Sequence, residues 1–160
     1  MSRPLAGVCV LDFSTLLPGP LATLLLAEAG AEVIKIERPG RGDEMRAYDP
    51  KFGTASVNFA LLNRGKRSVA IDLKLPDAAA RLRPLVERAD VVVEQFRPGV
   101  MDRLGLGFDA MNAINPRIIY CALTGYGQIG PKAQLAAHDL NYMAESGLLG
   151  LAAEAAGAPV

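Results

Sequence analysis

The residues best able to do chemistry lie in one stretch, Gly125 to Gly147, which reads G-Y-G-Q-I-G-P-K-A-Q-L-A-A-H-D-L-N-Y-M-A-E-S-G and holds the only histidine in 160 residues, His138. Histidine changes charge near neutral pH, so an imidazole where a glycine-rich loop meets an apolar helical segment can act as general base or acid. A lone histidine is also commonly structural, and its position alone leaves both readings open. A second group of candidates is basic. Arg38, Arg41 and Arg46 lie in R-P-G-R-G-D-E-M-R-A-Y, just after a strand-like run. Ligands of open α/β sheets bind at the carboxyl ends of strands, and guanidinium groups there can grip phosphate or carboxylate. The alternative, a solvated loop with surface arginines, fits equally well. Further basic turns follow at Asn63-Arg64-Gly65-Lys66-Arg67 and at Gln95-Phe96-Arg97-Pro98-Gly99.

Other chemistries find less support. Gly125-Tyr126-Gly127-Gln128-Ile129-Gly130 satisfies G-x-G-x-x-G after a strand, but Pro131 follows it rather than a helix that would face a pyrophosphate. The first β-α turn, Leu16-Leu17-Pro18-Gly19-Pro20, lacks that fingerprint. There is no G-x-S-x-G elbow and no P-loop lysine. One histidine without a cysteine cluster cannot supply a metal's ligands. Basic residues after successive strands, together with one histidine, suit a long ligand with an anionic end and a reactive end.

The elements that must position these groups alternate. Gly7 to Phe13 is a short apolar run expected of a parallel strand covered on both faces. Leu21 to Ala29 reads as a helix stopped by Gly30, and Ala31 to Glu37 as the next strand. Phe52 to Leu62 is apolar without a clear type. Ser68 to Asp72 predicts a third strand, Ala78 to Arg88 a helix, and Ala89 to Glu94 a fourth strand. Val100 to Leu106 and Phe108 to Ile114 predict short helices, Pro116 to Leu123 a fifth strand, and Leu140 to Leu151 a helix. This alternation implies a mainly parallel, doubly wound α/β sheet.

Composition sets the class. The chain is 51% hydrophobic and 21% charged, as folded soluble domains are, and its length suits one domain spanning residues 1–160. Seventeen basic residues balance seventeen acidic ones, so no net field recruits nucleic acid or an anionic membrane. The two cysteines, Cys9 and Cys121, lie in strand-like runs and read as buried free thiols, which fits a reducing cytoplasm. No long apolar segment near Met1 reads as a signal or span.

Several phrases together resemble the class III CoA-transferase superfamily. They are L-x-G-V-x-V-L-D-F-S (Leu5 to Ser14), P-G-P (Pro18 to Pro20), G-A-E-V-I-K-I-E-R-P-G (Gly30 to Gly40) and N-R-G-K-R-S-V-A-I-D-L-K (Asn63 to Lys74). Next come A-D-V-V-V-E-Q-F-R-P-G-V-M-D-R-L-G-L-G (Ala89 to Gly107), N-P-R-I-I-Y (Asn115 to Tyr120) and T-G-Y-G-Q-x-G-P (Thr124 to Pro131). The resemblance implies a Rossmann-like coenzyme A-binding portion of a larger, two-domain interlocked fold. It implies a cofactor site at Arg38, at Ile71, Asp72, Leu73 and Lys74, at Gln95, Phe96 and Arg97, and at Arg103, with the backbone of Leu16 and Leu17 alongside. Coenzyme A would enter as part of an acyl-CoA thioester substrate, with no tightly bound cofactor, no metal, no nucleic-acid partner and no membrane. The full-length form is expected to be a homodimer.

Within the superfamily, Ala137-His138-Asp139-Leu140-Asn141-Tyr142 resembles the 2-methylacyl-CoA racemase branch, which implies His138 as one of two bases acting on the proton α to the thioester. Gly125, Tyr126, Asp139 and Tyr142 are then expected beside the substrate. The racemase's second acid/base, or a transferase's nucleophilic aspartate, is expected beyond Val160. The chain is therefore expected to be an N-terminal portion, inactive alone. The alternatives are part of a CoA-transferase and a non-catalytic CoA-binding module.

Overall fold

Cys9–Asp12 (β1) is buried at all four positions because it forms the middle of a sheet. The computed structural model describes residues 3–136 and 138–151. Pro18–Glu28 (α1) follows β1 and leads to Glu32–Glu37 (β2), which pairs in parallel with β1 through Val10 opposite Val33 and Leu11 opposite Ile34. A 3₁₀ turn at Glu44–Ala47 and a small hairpin, Lys51–Phe52 (β3) and Ala55–Ser56 (β4), precede Val57–Asn63 (α2). Arg67–Ala70 (β5), Ala78–Arg88 (α3) and Val91–Glu94 (β6) come next. Val100–Arg103 (α4), Phe108–Ile114 (α5), Ile119–Ala122 (β7), Asp139–Glu145 (α6) and Leu148–Leu151 (α7) complete the described elements.

The five-stranded sheet has the order β5-β2-β1-β6-β7, and all its pairings are parallel. The fold is thus the expected α/β class with a mainly parallel sheet. Successive crossovers move outward from β1 in one direction and then the other, so the order reverses between β1 and β6. A crevice forms at such a reversal, outside the strands' carboxyl ends.

Two apolar layers hold the sheet. On one face Leu11, Phe13, Ile34, Ile36 and Val92 pack with Leu82 and Val86 of α3, Met101 of α4 and Met111 of α5. Ala78, Leu82 and Val86 recur every four residues, which places them on one side of α3. The other side carries the exposed pairs Asp77–Arg81 and Arg83–Glu87. On the second face Val10, Val33 and Val93 pack with Leu26 and Ala27 of α1. Each fully buried leucine or valine contributes about 1.5–3 kcal/mol, and these layers fix the sheet that aims the loops.

One segment left without a type takes form, and two expectations need correction. Phe52 to Leu62 resolves into the end of a hairpin and a helix, where Ser56 accepts the Phe59 N–H at the start of α2. The segment Leu140 to Leu151 is two short helices, broken where Gly147 takes φ +81°, a conformation glycine adopts without side-chain clash. Cys9 is buried but Cys121 is exposed. Cys121 lies on edge strand β7, on the face it shares with Ile119, itself 63% exposed. An edge position removes the cover on which the buried-thiol reading depended.

Candidate functional site

Parallel strands deliver the β1–α1 loop, the β2 turn, Ile71, Gln95 and the glycine loop to one edge of the sheet. The β1–α1 loop carries an unusual backbone. Leu16 has φ +62°, alone among the described non-glycine residues in being positive. That conformation costs about 1–3 kcal/mol for a side-chain-bearing residue and persists only where surrounding bonds impose it. Here the Leu16 N–H donates to Asp43 Oδ1 (3.2 Å), Lys35 Nζ to the Ser14 carbonyl (2.7 Å), and Gln95 Nε2 to the Thr15 carbonyl (2.7 Å). Gln95 Oε1 accepts the Gly19 N–H (3.3 Å). Gly19 admits no side chain, because a Cβ there would overlap Ser14 and come within 2.7 Å of Gln95 Oε1. Gln95 thus joins β6 to the β1–α1 loop across the switch point. Leu17, next to Leu16, is 54% exposed.

Beneath this loop lies a buried ionic network. Asp12 is fully buried and accepts the Ser14 N–H (2.9 Å), the Ser14 hydroxyl, the Thr23 hydroxyl (2.6 Å) and the Lys66 ammonium (3.1 Å). Lys66 also donates to the Pro20 carbonyl, Thr23 Oγ1 and Asn63 Oδ1 at 2.7–3.0 Å. Burial pushes the Lys66 pKa down, and the charge of Asp12 works against that shift. Lys35, 1% exposed, lies 3.0 Å from Asp43 Oδ2. That oxygen lies off a good hydrogen-bonding direction, so its partner is an ion pair and not a hydrogen bond.

At the end of β2, Glu37 accepts two bonds from Arg46 (2.7 Å each), one from the Ser68 hydroxyl (2.5 Å) and one from the Asp43 N–H (3.0 Å). Burial alone would push the Glu37 carboxyl up, but the bonds from Arg46, Ser68 and Asp43 hold it at about 2 against an ordinary 4.5. A depressed folded pKa stabilises the fold above the unfolded value, and that stability is lost as pH falls from about 4.5 through about 2. The contribution is on the order of 3 kcal/mol. Urea titrations across this range should show a shallower loss for Glu37→Gln than for wild type, and equal slopes would refute the assignment.

A cleft of about 510 Å³ opens beside this network, lined by Arg38, Arg41, Asp43, Glu44, Arg46 and Tyr48. Of the three arginines expected to grip an anion, Arg46 is already committed. Its guanidinium is bonded to Glu37 and stacks 3.7 Å above the Phe59 ring. Arg38 is half-exposed; it pairs with Glu44 (2.9 Å), and its Nε donates to the Gly42 carbonyl. Exposed pairs of this kind are weak and exchangeable. Among the described residues the Arg41 guanidinium has no hydrogen-bond or ion-pair partner. Arg38 and Arg41 are therefore the cleft's least committed cations, while Arg46 shapes the wall.

The remaining candidates take defined places. The Ile71 N–H continues the β2 pairing by donating to the Glu37 carbonyl (2.8 Å). Asp72 turns the chain by accepting the Lys74 N–H (3.0 Å), while Ile71, Leu73 and Phe96 pack against the main core. Arg97 is exposed and lines a smaller cavity of about 250 Å³ with Glu94, Asp102, Tyr120 and Gln128. Burial pushes the Glu94 carboxyl up, against the pull of the Phe96 N–H, and the charge of Asp102 raises it further. Arg103, at the end of α4, extends its guanidinium toward Gly99 at the rim of that cavity.

Beyond β7, Gly125 lies against Tyr142, and a Cβ at Gly125 would overlap that ring. Tyr126 meets Tyr142 edge-on at 5.4 Å between centroids. The Tyr126 hydroxyl donates to Glu145 (3.0 Å), and Lys132 pairs with the same carboxylate. These contacts tether the glycine loop to α6, and Gln134 ties it to the Pro98 carbonyl (3.3 Å). His138 is the residue that caps α6. Its N–H donates to Asn141 Oδ1 (2.9 Å), and it is exposed, as is Asp139 after it. Ala137 lies outside the described residues. The structure therefore brings Gly125, Tyr126 and Tyr142 together and leaves His138 and Asp139 open to solvent at the start of α6.

Sequence reasoning missed Asp12, Lys35, Glu37, Asp43 and Lys66 as a group. The available signal was a charge inside apolar strands, as in V-I-K-I-E and V-L-D-F. Among the described residues no cluster of His, Cys, Asp or Glu could hold a metal ion, and no helix is long and apolar enough to cross a membrane.

Comparison with known proteins is consistent with this arrangement. The family model for CoA-transferase family III matches residues 5–160. The chain is 44% identical over 159 residues to the human succinyl-CoA:glutarate CoA-transferase, covering 99% of this chain and 36% of that protein. It is 45% identical over 145 residues to the human alpha-methylacyl-CoA racemase, covering 91% of this chain and 34% of the racemase. A CAIB/BAIF family protein from Brucella suis superposes with a TM-score of 0.92 at 36% identity, covering all of this chain and 43% of that one. The chain spans little more than a third of the length of the curated relatives it matches.

Proposed function

The chain belongs to CoA-transferase family III, and on that premise we propose that it forms the coenzyme A-binding part of an acyl-CoA racemase in which His138 is one catalytic base. The observation that carries this reading is the strand-end edge, where a cleft offering Arg38 and Arg41 adjoins the Leu16 loop. Such an arrangement suits a ligand with a phosphorylated end and an extended arm. The 45% identity to a racemase adds to it.

The chemistry follows from the thioester. The exposed imidazole of His138 takes the α-hydrogen as a proton, the C–H electron pair moves into the carbonyl, and an enolate forms. Hydrogen-bond donors stabilise that oxyanion. Return of a proton to the opposite face, from a second acid paired with His138, gives the epimer, with nothing oxidised and no group transferred. Coenzyme A enters only as part of the substrate. We place the protein in a reducing cytoplasm, as a homodimer in its full-length form, on the strength of the buried thiol of Cys9 and the resemblance.

A second reading, a CoA-transferase, is favoured by the 44% identity to a succinyl-CoA:glutarate CoA-transferase. One pair of assays separates the two. Incubation of a 2-methylacyl-CoA in D₂O with the full-length form, without an acceptor acid, should place deuterium at the α-carbon. Transfer of coenzyme A to a free dicarboxylate, with no exchange, would instead establish the transferase. Binding with neither would identify a module without chemistry of its own.

A further inference from the structure

We propose that Lys35 and Asp43 are positioning residues, whose buried ion pair couples the basic cleft at the end of β2 to the Leu16 loop at the end of β1. The inference rests on the coenzyme A reading and adds to it the means by which one end of the ligand is registered against the other. Asp43 lines the cleft and also reaches the loop. Its Oδ1 accepts the N–H groups of Leu16 (3.2 Å) and Met45 (3.0 Å), its Oδ2 faces Lys35, and its own N–H is fixed on Glu37. Lys35 completes the tie by donating to the Ser14 carbonyl at 2.7 Å.

Two observations point to positioning rather than simple stabilisation. A buried ion pair adds little stability over an apolar pair of the same volume, because desolvation offsets the attraction. What such a pair does supply is fixed donor and acceptor directions. Those directions are used on Leu16, whose φ of +62° is held against its own preference. Release of the tie would let Leu16 return to negative φ and turn its peptide groups away from the ligand's arm. Arg38, held by its own bonds to Gly42 and Glu44, would stay at the cleft.

The test compares two probes by titration calorimetry: coenzyme A, and adenosine 3′,5′-bisphosphate, which lacks the pantetheine arm. Wild type should bind coenzyme A more tightly than the nucleotide. The double variant K35M/D43L removes the bonds to Ser14 and Leu16 together, leaves no unpaired buried charge, and its fold is checked by circular dichroism. Its coenzyme A Kd should weaken about tenfold more than its nucleotide Kd does. If that variant does not fold, Lys35→Arg replaces it, since the longer, planar guanidinium cannot take the ammonium's place in a site with 1% exposure, and the same selective loss is expected. Unchanged coenzyme A affinity in a folded variant overturns the proposal, as does an equal loss for both probes, which marks a general structural role. A wild type that does not bind coenzyme A overturns the functional reading itself, and that control keeps the two failures distinct.

Discussion

Asp12→Ala should lower the stability of the fold by about 3–5 kcal/mol, a large share of a total that for single domains is of order 5–15 kcal/mol. The carboxylate is fully buried and holds two groups of Ser14, the Thr23 hydroxyl and Lys66, so its loss ends several bonds at once. The dominant cost is the cation left behind. The Lys66 side chain is 1% exposed, and without Asp12 its ammonium keeps only neutral oxygens of Pro20, Thr23 and Asn63. Urea unfolding of the variant should show a midpoint far below that of wild type. Pairing the change with Lys66→Met should recover a large share of the loss, because the buried charge is then gone. A loss under about 1 kcal/mol would mean that the network is solvated.

In the full-length form, His138→Ala should slow α-proton exchange by roughly 10²- to 10⁴-fold, the range associated with removal of a positioned general base. Coenzyme A affinity should be unchanged, because the imidazole is exposed at the start of α6 and the cleft is lined by residues of the β2 turn. The backbone bond from His138 to Asn141 survives the substitution, so the helix start is preserved. Exchange at the wild-type rate would remove His138 from the mechanism. A matching fall in affinity would reassign it to binding.

The fold was legible wherever information is local. Apolar runs broken by glycine and proline marked β1, β2, β6 and β7, and α3 and α5 emerged with the bounds that periodicity predicts. The helix expected from Leu140 to Leu151 failed at Gly147, where a single positive φ outweighs a continuous apolar pattern. The candidate site was legible at coarser grain. The resemblance pointed to the turns after successive strands, and the parallel sheet sets those turns along one edge. Arg38, Arg41 and Arg46 were indistinguishable as text, yet Arg46 is spent on Glu37 while Arg41 faces the cleft.

By itself, then, the sequence determined the α/β class, the run of strands and helices, and the family, because each is written in short patterns that neighbouring residues complete. Only the tertiary structure decided which charges lie inside. Lys66 and Asp12 are 54 positions apart and Leu16 and Asp43 are 27, and a charge is buried only where a partner from elsewhere in the chain offsets its desolvation. Side-chain type does not record that partner. The same reason separates buried Cys9 on the central strand from exposed Cys121 on the edge.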